Sequence, residues 1–162
     1  MRKTLVITTI IALVALVLAA FSVVLLRIPF VHANDSQKVI VVEHAITDTI
    51  AHFKPGQDSL GDVLAFHNPV FDASDKKQVG HDNGNCIRTV TGSNGVWECF
   101  WTVFLSAGQI TVEGPFYTNG RDSMLAITGG TGTYQEARGQ MRLHATGNPV
   151  GSEFDFVYML AQ

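Results

Sequence analysis

The chain has 162 residues, 46% of them hydrophobic and 15% charged, with a formal net charge of −3. That length holds one domain of ordinary size. The weak negative charge, with no basic block beyond Lys76-Lys77 and the pair Arg138 and Arg142, excludes nucleic acid and an anionic membrane surface as electrostatic partners.

The first element lies outside that domain. After Arg2-Lys3, the stretch Leu5 to Leu26 carries no charge and consists mainly of Leu, Val, Ile and Ala. As an N-terminal hydrophobic helix it is long enough to span a bilayer core, which needs about 20 apolar residues. Val31-His32-Ala33 offers small residues at the minus-three and minus-one positions of a signal-peptidase site, with Asn34 as the new N-terminus. Residues 1–33 are therefore read as a signal peptide and 34–162 as a secreted, extracellular domain. The apolar run exceeds a signal-peptide core of roughly 7–15 residues. The alternative is thus an uncleaved single-pass anchor, with residues 5–26 as the only membrane contact and the domain outside.

From Lys38 the pattern is that of short strands. Lys38 to Ile46 alternates, with Val39, Val41, Glu43 and Ala45 sharing one face, so Glu43 is a carboxylate set in an apolar run. Thr47 to Ser59 is polar around Pro55-Gly56 and reads as a loop. Leu60 to Asn68 is a second strand ended by Pro69, with Val70-Phe71 pairing briefly at an edge. Asp72 to Asn85, dense in Asp, Lys and Gly, reads as a polar connection. Two arms follow, Asn85 to Thr91 and Val96 to Leu105, joined by the turn Gly92-Ser93-Asn94-Gly95, which sets Cys86 nearly opposite Cys99. A disulfide is expected in an oxidising compartment, worth roughly 3 kcal/mol for a loop of that size; two buried free thiols are the alternative.

The second arm is apolar on both faces, Trp97, Cys99, Trp101, Val103 and Leu105 against Val96, Phe100 and Phe104, and is expected to be covered on both sides. Gln109 to Gly114, Phe116-Tyr117, Ser123 to Thr128, Ala137 to Thr146 and Glu153 to Leu160 complete the set, separated by Asn119-Gly120, Gly129-Gly130-Thr131-Gly132 and Gly147-Asn148-Pro149. No amphipathic helix or internal repeat occurs in this part. The prediction is an all-β fold, an eight-stranded antiparallel up-and-down β-barrel of calycin-like form, because closing such a sheet removes its exposed edges.

Gly114-Pro115-Phe116, then Leu125-Ala126-Ile127-Thr128-Gly129-Gly130-Thr131-Gly132 and Ala137-Arg138-Gly139-Gln140, resemble the signature block of the allene oxide cyclase family. The Gly-Gly-Thr-Gly and Ala-Arg-Gly pieces also resemble plant dirigent proteins, and Leu60-Gly61-Asp62 with Phe66-His67-Asn68 resembles an early-strand motif of the cyclases. The resemblance implies a barrel with an apolar cavity and a homo-trimer. It also implies roles: Glu43 matches a glutamate acting on an allylic cation, Asn68 an asparagine of the set that holds a water near the epoxide oxygen, and Cys86 a pocket cysteine. This chain departs from that family at Ala45, where the family has a second asparagine, and at Phe116, where it has tyrosine.

The candidate catalytic residues are therefore Glu43, as buried base or cation-stabilising charge, and Asn68. The plain alternatives are a Glu43 that faces solvent or pairs with Arg88 or Arg142, and an Asn68 that closes a turn. Phe66, Phe100, Trp101, Phe104, Phe116 and Tyr158 are the candidates to line an apolar pocket, most of them being needed to fill the core; the dirigent resemblance implies Arg138 at its mouth, with a surface salt bridge as the alternative. The histidines, His44, His52, His67, His81 and His144 among them, show no ligand spacing, so no metal is expected. Gly129-Gly130-Thr131-Gly132 lacks the Lys-Ser/Thr of a phosphate loop, and no cofactor is expected. The expected function is binding of a small apolar ligand, with isomerisation or cyclisation as an intramolecular cyclase; the alternative is a non-catalytic carrier.

Overall fold

The structure, a computed structural model, describes residues 37–161. The expected leader or anchor, residues 1–33, lies outside them, and among the described residues no helix is long and apolar enough to cross a membrane.

The strands are β1 (Gln37–His44), β2 (Thr49–Ala51), β3 (Val63–Asp72), β4 (Gln78–Val90), β5 (Val96–Leu105), β6 (Gly108–Tyr117), β7 (Ser123–Gly130), β8 (Gly139–Thr146) and β9 (Glu153–Leu160). A 3-10 turn at Gly132–Tyr134 follows β7. The strands are hydrogen-bonded antiparallel in the order β1-β9-β8-β7-β6-β5-β4-β3, and β1 pairs with β3 to close the ring. This is the expected eight-stranded antiparallel barrel. The short β2 adds a ninth strand inside the segment read as a loop, pairing Thr49–Ala51 with Ala65–Val63.

Closure is incomplete at one place, and the site forms there. β2 covers Val63–Ala65 of β3 and β1 covers Val70–Asp72, so neither strand pairs with Phe66–Pro69 along that edge. Proline, which has no N–H to offer, is tolerated at such a gap. β3 therefore runs through Pro69 rather than ending there, with a register slip at Val70/Phe71 of the kind that bends a barrel strand.

The polar connection expected at Asp72–Asn85 is instead mostly strand, since β4 begins at Gln78. Its glycines answer steric demands rather than marking turns. A Cβ on Gly84 would sit 2.4 Å from Trp101 Cβ and 2.5 Å from Phe66 Cζ, and one on Gly80 would sit 2.0 Å from the Phe104 carbonyl oxygen. Cys86 and Cys99 are register partners and are joined as a disulfide.

The inner face carries the core: Val41 on β1, Leu64 and Val70 on β3, Trp97, Trp101 and Val103 on β5, Ile110 and Val112 on β6, Leu125 and Ile127 on β7, Met141 and Leu143 on β8, and Phe154, Phe156, Tyr158 and Leu160 on β9. Gly114 also faces inward, with φ +150°, a backbone state that favours glycine, and a Cβ there would sit 3.1 Å from the Leu125 Cα.

Candidate functional site

Glu43 sits inside this apolar ring, 5% exposed. Asn68, from the uncovered part of β3, is fully buried and donates from Nδ2 to Glu43 Oε1 at 2.7 Å and to Asp48 Oδ1 at 2.8 Å. Its Oδ1 accepts from the N–H of Ile46 and Thr47 and from the Thr47 hydroxyl, at 3.1, 2.9 and 3.0 Å. The Thr47 hydroxyl in turn accepts from the His67 N–H at 2.7 Å. One side chain thus ties the loop after β1 across the gap in the wall and orients the acid.

A second carboxyl, Asp82 on β4, is also fully buried and takes the Asn68 N–H on Oδ1 at 3.2 Å. It lies in hydrogen-bond contact with Glu43. Loss of hydration first, and the Asp82 and Asp48 charges after it, hold Glu43 well above the usual carboxylate range, against the Asn68 hydrogen bond, which pulls it down. Desolvation also pushes Asp82 up to about 7, while bonds from Asn68 and Glu43 act downward. Two carboxyls this close in a dry site cannot both ionise readily, and the directions agree that Glu43 holds the proton.

Above the pair lies a narrow cavity of about 40 Å³ lined by Glu43, Leu64, Phe66, Trp101, Phe116, Leu143, Phe154, Phe156, Asp48 and the disulfide. It shares Asp48, Leu64, Phe116 and Phe154 with a wider vestibule of about 380 Å³, whose rim includes Ile50, Arg88, Trp97, Tyr117 and Val150. Small-molecule sites commonly measure about 300–1,000 Å³, so the vestibule has the size and the inner cleft has the chemistry. The walls are aromatic, with Phe116 against Phe154 and Phe66 against Trp101 edge to face.

Of the residues singled out from sequence, Glu43, Asn68, Phe66, Trp101, Phe116 and Cys86 come together here. Tyr158 points inward but lies fully buried outside the cavity lining. Phe100 and Phe104 do not belong to the pocket. With Trp97, Cys99, Trp101 and Val103 turned inward, the alternate residues face outward; Phe100 is 47% exposed and Phe104 stacks on His81. Arg138 is exposed beside the start of β8, where Gly139 pairs with Leu160, at the end of the barrel away from the vestibule. The arginines considered as partners of Glu43 are engaged elsewhere, Arg88 with Asp58 and Arg142 with Asp122.

Sequence reasoning missed Asp82, Asp48, Phe154 and Phe156 as site residues. It also gave Asp62 no role, although that carboxylate holds the mouth loop by accepting from the N–H groups of Phe53 and Ser59 and by pairing with His52. Burial pushes Asp62 up, and those hydrogen bonds outweigh it, leaving it below its ordinary value. On the outer face His44, Asp75 and Glu153 bring one potential ligand atom each within 4.8 Å of one another, with His44 already paired to Asp75. They come from three separate segments, so no spacing in the sequence announced them.

A closed antiparallel barrel with an aromatic-walled hollow over buried acids defines a class of small barrel proteins with an internal cavity. Within it the chain belongs to the allene oxide cyclase family, whose model matches residues 40–159. Among solved structures it is similar to a pyocyanin demethylase, at 27% identity over 77% of this chain and 100% of that chain, with a TM-score of 0.66. A pterocarpan synthase dirigent protein matches at 16% identity over 81% of this chain and 94% of that one, TM-score 0.61. An exo-specific intermolecular Diels–Alderase matches at 16% identity over 76% and 96%, TM-score 0.59. The last two likenesses concern the fold alone.

Proposed function

We propose that this barrel admits a small, flat, apolar molecule through the vestibule and guides its isomerisation or cyclisation, with Glu43 as the acid–base group. The observation that carries the reading is the Glu43 carboxyl, held protonated by burial and by Asp82 at the floor of an aromatic-walled cleft. Glu43 donates its proton to an electron-rich atom of the ligand, and the carboxylate left behind opposes the positive charge on the conjugated skeleton. A proton returned from ligand carbon to Glu43 closes the cycle, so the product is an isomer and nothing is consumed. Asn68 keeps the Glu43 carboxyl in place through both steps, and the aromatic walls supply orientation, which can account for much of such a rate enhancement. The names of the matched structures, a dirigent pterocarpan synthase and a Diels–Alderase, support the idea that this scaffold suits cyclising chemistry. The disulfide fits work in an oxidising, extracellular setting.

Glu43→Gln tests this in the full chain, with turnover of a polyunsaturated epoxide or a phenolic substrate as readout. Turnover should drop at least about 100-fold with ligand binding retained, the scale of losing a general acid; unchanged turnover removes Glu43 from the mechanism. One observation favours a second reading, a carrier without chemistry: Ala45 and Phe116 are apolar where the resemblance calls for hydrogen-bonding side chains, and Phe116 lines both cavity and vestibule. Native mass spectrometry of protein from its own host separates the two, because a carrier comes with its lipid or pigment bound.

A further inference from the structure

Outside the cleft, the barrel is closed by β1, which pairs with β9 on one side and with β3 on the other. At one end of that seam three side chains from three segments converge. His44 ends β1, Glu153 begins β9 directly opposite it, and Asp75 stands in the turn between β3 and β4. One donor atom from each lies within 4.8 Å of the others, and His44 Nε2 is 2.8 Å from Asp75 Oδ1. The His44 ring is stacked on Phe71 at 4.2 Å between centroids, which fixes the direction of its nitrogen. The side chains of His44 and Asp75 are 28% and 40% exposed, so the spot is open to water on one side.

The charges there do not balance. Among the described residues the Glu153 carboxylate has no hydrogen bond or ion pair, and Asp75 has His44 alone. Asp72 holds the turn by accepting from the Ser74 and Lys76 N–H groups and the Ser74 hydroxyl, so Asp75 is presented to the seam without being neutralised. A protonated His44 supplies one positive charge against two carboxylates; a divalent ion supplies two and leaves the imidazole neutral. One imidazole nitrogen with two carboxylate oxygens suits zinc, with water in the remaining position, whereas magnesium and calcium take oxygen ligands throughout. Donors of a tetrahedral zinc ion lie about 3.3 Å apart at bond lengths of about 2.0–2.2 Å, so the His44–Asp75 contact has to open by only about half an ångström to admit one. From this geometry we infer that His44, Asp75 and Glu153 form a zinc site that staples β1, the β3–β4 turn and β9 together at the seam of the barrel. His44 follows Glu43 in the chain, so the ion fixes from outside the strand that carries the buried acid.

The test is calorimetric titration of zinc chloride into the full chain, made without a histidine tag and stripped of metal beforehand. About one zinc ion per chain should bind, on the order of 100-fold more tightly than magnesium or calcium. His44→Gln and Glu153→Gln should each weaken zinc by at least about tenfold, the scale seen even for groups one bond further from a metal. His81→Gln and His144→Gln should leave it unchanged; they control for zinc held at the neighbouring rings of His67 and His81 or at the His144–Asp122 pair. Absence of zinc binding, equal binding of magnesium, zinc binding that survives either ligand change, or its loss in either control overturns the site. Melting curves give an independent measure. In EDTA, Glu153→Gln should melt with or above the wild type, because it removes a charge that faces Asp75; with zinc at about 100 times its dissociation constant the order should reverse, the wild type being raised by several degrees. A Glu153→Gln chain that melts below the wild type already in EDTA would mean that the carboxylate is satisfied within the protein, and would overturn its role as a ligand.

Discussion

Asp82→Asn isolates the electrostatic cost of the buried acid pair. An ordinary aspartate titrates near 3.9, whereas Asp82 is pushed up to about 7, chiefly by burial. Between those values the folded barrel binds more protons than the unfolded chain. The stability contributed is fully present below about pH 4 and is lost as the pH rises through about 7. A shift of about three units, at 1.36 kcal/mol each, sets a ceiling of about 4 kcal/mol on the loss, and proton sharing with Glu43 lowers it to an expected 2–4 kcal/mol or so. Asparagine keeps an oxygen for the Asn68 N–H and does not ionise. The variant should therefore match the wild type near pH 4.5 and exceed it by roughly 2–4 kcal/mol at pH 8, in urea unfolding followed by circular dichroism and tryptophan emission. Asp62, Asp72 and Asp122 are held below their ordinary value; their contribution is lost only as the pH falls below about 4, so it has the opposite sign and a separate window. A wild-type stability that stays flat or rises between pH 4.5 and 8, or a variant destabilised equally at every pH, would refute the reasoning.

Asn68→Ala strands the Ile46 and Thr47 donors and frees Glu43, and should cost about 3 kcal/mol while speeding hydrogen exchange at Ile46 and Thr47. Gly84→Ala forces a methyl against Trp101 Cβ and Phe66 Cζ; an unfolding midpoint lowered by an equivalent of about 1–3 kcal/mol is expected, together with a changed tryptophan spectrum. Replacing Cys86 and Cys99 together by Ala should cost about 3 kcal/mol from the opened 13-residue separation, readable as a shifted urea midpoint, and should widen the cleft that the bridge lines.

Much of the barrel was legible because most of its strands obey a simple rule. β9 alternates Phe154, Phe156 and Tyr158 inward, and β1 alternates Val39, Val41 and Glu43 inward, so a period of two announced both the strands and the odd carboxylate among them. The disulfide followed from a hairpin that puts two cysteines in register. The wall made by β3, β4 and β5 resisted the same reading, for a physical cause. Its inner positions include Asn68, Asp82 and Gly84, polar or small, while its outer positions include Phe100 and Phe104. The hydrophobic pattern is inverted where the acids and the room for Trp101 must be built. A polar inner residue looks like loop, as Asp82 did within Asp72–Asn85, and an apolar outer one looks like pocket, as Phe100 and Phe104 did. Local rules are expected to fail where a site departs from simple burial, and here the failure coincides with the uncovered edge of β3. The gap in hydrogen bonding that Asn68 stitches, the proline that tolerates it and the two carboxyls that meet behind it are one construction. A change that restored regular alternation on β4, such as Asp82→Val, would make the strand easier to read and would remove the charge that, after burial, does most to raise Glu43.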